Sequence, residues 1–169
     1  AGALCYHYHA VGRWAETLRW GLEAGEAAML RSDIDAAEQS LSRAKEAIES
    51  LRADNASVDS SAAMRIDLLR GTMLARLGRP EEAKALLHSA IDAAARTKAR
   101  AVHADALLEY AQCFCSRGDL EKGMAIAEES AVVAGGAGDR ARAIAARILA
   151  GNVLRRLGRT TEAEERFEA

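Results

Sequence analysis

The sequence predicts an all-α protein, a solenoid of antiparallel helix pairs with about nine helices. Three observations carry the prediction. Alanine supplies 39 of the 169 residues, beside one proline and only 4% aromatics; alanine is the best helix former, and residues that favour strands are scarce. Apolar residues recur at spacings of three and four, as in Met64, Leu68, Gly71, Leu74 and then Ala83, Leu86, Leu87, Ala90, Ile91, Ala94, which traces one face of a helix. Gly78, Gly118 and Gly158 lie 40 residues apart, each closing such a pattern, and a fixed stride of this kind is the mark of a repeat.

In chain order, the spacing places helices near residues 2–11, 14–31, 33–52, 60–77, 80–97, 99–117, 119–134, 139–157 and 160–168. Trp14 to Arg31 contains Gly25, and Ser32-Asp33-Ile34-Asp35-Ala36-Ala37 is a turn and helix start that continues through Leu41, Ala44, Ile48 and Leu51. Arg52 to Ser60, with Asp54-Asn55, is the longest polar connection. Gly78 supplies a left-handed residue to end one helix and Pro80 begins the next, where its missing N–H costs nothing. In the following unit Asp119 stands in the place of the proline and is expected to cap the orphan amides. Gly135-Gly136-Ala137-Gly138-Asp139 is expected to be a flexible turn between units. It lacks the Lys and Ser/Thr of a phosphate loop, and no strand precedes it. These elements form a single domain over 1–169, with units near 14–52, 60–99, 100–139 and 140–169. The chain lacks an initiator Met and stops within a helical pattern, so it is expected to be part of a longer polypeptide.

Composition excludes several functions. The 23 basic and 25 acidic residues give a net charge of −2, a balance that disfavours nucleic acid or an anionic membrane as partner. No stretch approaches the roughly 18 apolar residues of a membrane span, and no secretory leader is visible. A cytoplasmic location is expected. Cys5, Cys113 and Cys115 form an odd set without a CxxC pair, which fits reduced, buried thiols. His7 and His9, two apart on a helix, point roughly 200° apart and cannot share a metal, while His88 and His103 are isolated. No nucleophile, base or paired-carboxylate arrangement stands out, so no enzyme activity, cofactor or metal is expected.

Sliding the sequence by 40 residues puts Gly71 over Ala111 and Gly151, Leu68 over Leu108 and Ile148, Leu74 over Phe114 and Leu154, and Ala83 over Gly123 and Ala163. The runs Gly71-x-x-Leu74, Gly78, Ala83-x-x-x-Leu87, Ala90; Ala111-x-x-Phe114, Gly118, Gly123-x-x-x-Ala127, Ser130; and Gly151-x-x-Leu154, Gly158, Ala163-x-x-x-Phe167 resemble the tetratricopeptide repeat. The earlier Gly25, Ala37-x-x-x-Leu41, Ala44 resembles it too, and the resemblance implies a right-handed superhelical solenoid. Small residues at these places let two helix axes approach closely while large ones fill the space beside them. The stride is 40 where the family has 34, and Asp67, Leu107 and Arg147 stand where a bulky residue opens the first helix. The family's proline late in the second helix is absent. Ala127 is small where bulk is expected, and Gly123 sits inside a helix at a cost of about 1 kcal/mol, which predicts a looser third unit. A narrower resemblance lies in His7-Tyr8-His9-Ala10-Val11-Gly12-Arg13-Trp14, continuing to Asp33-Ile34-Asp35-Ala36-Ala37. It is similar to the segment that opens the helical-repeat region of large bacterial regulators, in which an ATPase, cyclase or kinase module precedes the repeats.

Stacked helix pairs present a curved face lined by the first helix of each unit, and solenoids commonly bind there. On that face Thr72, Gln112 and Asn152 form a polar ladder able to grip an extended backbone. Arg65 and Asp105, a turn earlier, and Arg76 and Arg156, a turn later, are expected to select charge. The basic residues with which family members clamp a terminal carboxylate are not matched, since Leu68, Leu108 and Ile148 occupy one required place. The sequence therefore predicts a non-catalytic interaction or scaffolding module of a bacterial signalling or transcriptional regulator, with a protein or peptide partner. The alternative is a small-molecule-sensing or self-associating segment that uses Leu69, Leu149 and Cys115 to bind an effector or a second copy.

Overall fold

The computed structural model describes residues 1–168, and among these it contains nine α-helices and no strand. They are α1 (Gly2–Ala10), α2 (Trp14–Leu30), α3 (Ile34–Ala53), α4 (Ser60–Arg76), α5 (Pro80–Thr97), α6 (Arg100–Ser116), α7 (Leu120–Gly136), α8 (Arg140–Arg156) and α9 (Thr160–Glu168). Short turns fix how they pair. Gly78, Gly118 and Gly158 have φ of +73°, +88° and +76°, a region closed to most side chains. Each lets the next amide fold back onto the helix just ended: Arg79 N donates to Leu74 O at 2.9 Å, Asp119 N to Phe114 O at 3.1 Å and Arg159 N to Leu154 O at 2.9 Å. The next helix then starts at once and runs back beside its partner.

Two turns differ from expectation. Asp33, Asp59 and Asp139 accept from the first-turn amides of Ala36, Ser61 and Arg142, but Asp119 makes no side-chain cap. Its ψ is 68°, short of the 84° and 85° at Asp33 and Asp139, and its carboxylate bonds none of the first-turn amides. The glycine-rich connection is also tighter than a flexible turn. Gly135 and Gly136 complete the last turn of α7, leaving Ala137 to Asp139 as the link. That link is held by Asp139 N to Ala134 O and Gly138 N to Gly135 O, both 3.0 Å.

Among the described residues, every helix touches only helices one or two places away in the chain. α2, α4, α6 and α8 contact one another in succession, whereas α3, α5, α7 and α9 do not. Four helices crowded on one side and four splayed on the other define a curved stack whose inner face belongs to the even-numbered set.

The pairs are held at close crossings. A Cβ placed on Gly25 would lie 2.6 Å from Leu41, one on Gly71 2.7 Å from Leu87, and one on Gly151 2.6 Å from Phe167. Each glycine is a socket for the large side chain of the facing helix. The α6/α7 crossing is built differently and is not loose. Ala111 and Ala127 are both fully buried there, and the bulk missing at Ala127 is supplied one turn away by Cys115. A Cβ on Gly123 would stand 2.3 Å from the Cys115 sulfur and 3.0 Å from the Ala111 carbonyl oxygen. α1 closes the N-terminal end by seating the buried Cys5 beside Gly21 and Thr17. None of the helices among the described residues is long and apolar enough to cross a membrane.

Candidate functional site

The crowded inner helices leave a groove of about 630 Å³, walled by α2, α4 and α6 and closed on one side by Arg142 of α8. Leu68, Leu69 and Leu108 form its apolar floor, and Leu30 stands at its rim, 88% exposed. The floor follows from the repeat, because Leu68 and Leu108 are equivalent residues one stride apart.

The seven residues singled out by the sequence all lie on inner helices, in three different situations. Gln112 and Asn152 are exposed. Thr72, the third rung, is only 7% exposed: it lines the groove but is sunk between helices, so the ladder is not a row of equally reachable groups. The four charged residues are already engaged within the protein. Arg65 on α4 donates through Nε to Glu26 Oε1 of α2 at 3.0 Å. Asp105 on α6 accepts from Arg142 Nε of α8 at 2.7 Å, and Arg142 also holds Asp139. Arg76 reaches the Met29 carbonyl at 3.2 Å and Arg156 the Cys115 carbonyl at 3.3 Å. The residues expected to select charge thus tie each inner helix to the one before or after it. The two carboxylates hold Arg142 even more firmly in its charged state.

Two functional candidates were missed. Glu26 follows Gly25 as Thr72 follows Gly71, so it is the first member of the polar series. Glu109 occupies the place of Leu69 and Leu149 in the neighbouring units, a carboxylate where the repeat puts leucine. Glu109 lines the groove, half-buried. Among the described residues it has no hydrogen bond and no ion pair. Loss of water raises its pKa; Arg76, near enough to act through space, opposes the rise and Asp105 adds to it.

The apolar residues proposed for an effector are not open to the groove as a set. Cys115 is 5% exposed and fills the space beside Gly123. Leu149 packs on Ala111, Ala127 and Ala150, and Leu69 lies over Met29 and Met73 while its edge reaches the groove floor. Burial raises the pKa of all three cysteine thiols, which leaves them protonated and poor nucleophiles. No grouping of His, Cys, Asp and Glu among the described residues could hold a metal ion.

No protein-family model matches this sequence, and no curated protein does. Solved structures do match. The crystal structure of aspartyl phosphate phosphatase F from Bacillus subtilis superposes with a TM-score of 0.80 at 15% sequence identity, over 89% of this chain. The chain spans 38% of the length of that protein. At such identity the likeness concerns the fold, which is an all-α helical repeat of the tetratricopeptide-like kind.

Proposed function

We propose that the protein is a non-catalytic interaction or scaffolding module of a cytoplasmic bacterial regulator, and that it binds a peptide or protein segment along its inner face. One observation carries this reading. The inner helices enclose a groove of about 630 Å³ with a leucine floor, and the same set of helices carries Gln112 and Asn152 exposed. That combination offers burial to side chains and hydrogen bonds to a backbone. The test uses peptides selected on the protein from a random-peptide phage library, titrated by fluorescence anisotropy. Replacing Gln112 and Asn152 together by alanine should weaken binding about tenfold, the worth of one or two hydrogen bonds, with thermal unfolding nearly unchanged. Unaltered affinity rejects the assignment.

A second reading, self-association, rests on α8 and α9. There Ile144, Ile148 and Phe167 line a cavity of about 620 Å³ and are 52%, 46% and 46% exposed. A light-scattering mass that stays monomeric as concentration rises removes it.

A further inference from the structure

We propose that the inner groove selects a segment bearing a lysine or arginine next to an apolar side chain, with the cation closing on the Glu109 carboxylate and the apolar group on Leu68 and Leu108. This rests on the reading of the groove as a binding face and adds the chemistry of what enters it.

Six charged side chains line or border the groove. Glu26 is paired with Arg65, Asp105 with Arg142, and Arg76 donates to the Met29 carbonyl. Glu109 alone is left without a partner among the described residues. It sits one turn beyond Asp105 on α6, on the same face, with Leu108 beside it. Its position explains the lack: Arg142 reaches back only as far as Asp105, and Arg76 is turned toward the end of α2. A carboxylate in this state has lost much of its hydration and gained no charge-assisted bond in return. A partner's ammonium or guanidinium would recover that loss, and the aliphatic stem of a lysine or arginine would lie along the leucine floor. A partner carboxylate directed at Arg76 would gain less, because that side chain is exposed, solvated and already donating. The raised pKa of Glu109 agrees with an unmet demand for positive charge.

Peptides selected from a random-peptide phage library on the wild-type chain should be enriched in Lys or Arg adjacent to Leu, Ile, Met or Phe. Against Glu109→Gln these peptides should lose about tenfold in affinity. Changing the peptide's own basic residue to methionine should cost wild type a similar factor and cost Glu109→Gln little, which closes a double-mutant cycle. Glu109→Gln keeps the shape and discharges a half-buried group, so its Tm should equal or exceed that of wild type, which excludes misfolding as the cause. Selected peptides with no basic preference, or basic peptides that bind Glu109→Gln equally well, overturn the proposal and leave the groove reading intact. Absence of binders, or binders indifferent both to Glu109→Gln and to the Gln112 and Asn152 double change, overturns both.

Discussion

The α4/α5 and α6/α7 pairs sit one 40-residue stride apart and solve the same packing problem with different atoms. In the first, Leu87 drops onto Gly71 while Ala75 packs against the cluster that holds Ala83; in the second, Ala111 and Ala127 share one cluster and Cys115 drops onto Gly123. A glycine socket filled by a side chain of the facing helix occurs in both, moved by one turn and carried by the opposite helix. What the repeat preserves is therefore the filled volume of the crossing, not the residue at one numbered place.

The comparison can be broken most forcefully at Leu87, which is fully buried. Leu87→Ala empties the Gly71 socket and should cost about 2–5 kcal/mol, read from urea unfolding. Adding Gly71→Ala should recover part of it by recreating the alanine pair of the next unit, so the double variant should be more stable than Leu87→Ala alone. If the double variant is instead the weaker, the two crossings are not interchangeable.

A somewhat smaller effect is expected at the other crossing. Gly123→Ala drives a methyl against the Cys115 sulfur and the Ala111 carbonyl oxygen, which should cost about 1–3 kcal/mol, less the helix propensity that alanine restores. Combining it with Cys115→Ala converts the unit to the Ala75/Ala83 arrangement and should return most of that loss in a thermal melt. Failure to rescue would place the constraint in the Ala111 backbone.

The smallest effect separates the caps. Asp139→Ala should lower Tm, while Asp119→Ala should hardly move it, because only Asp139 bonds a first-turn amide. The bonds from the Arg142 backbone and side chain hold the Asp139 carboxyl below its ordinary range. Its stabilisation is present above the unfolded-state pKa and is lost as pH falls through the lowered folded one. The gap in Tm between wild type and Asp139→Ala should consequently close in acid, and a gap that persists there would assign the effect to packing.

The helix pairs and their turns were legible because their causes are local. A glycine at positive φ, an apolar spacing of three and four, and a small residue at a crossing each leave a mark within one stride of sequence. The substitute socket at Gly123 was misread as weakness, since its filler, Cys115, lies on the other helix and outside the family pattern. Spacing located the inner face, yet it could not tell Gln112, which is exposed, from Thr72, which is sunk. Nor could it tell that Arg65, Arg76, Asp105 and Arg156 bend sideways onto neighbouring helices, because a long side chain's direction depends on what stands beside it. Glu26 and Glu109 could have been found by laying the units in register, the first as the opening member of the polar series and the second as a charge in a leucine column.

Since no helix among the described residues reaches past its second neighbour in the chain, the molecule behaves like a row of links in which distant parts exchange no energy directly. Such topologies fold quickly, as their encounters are short-range, and they come apart by fraying inward from either extremity. Amide protons at the middle of the row should outlast those of α1 and α9 in heavy water, with protection grading along the length and not stepping between blocks.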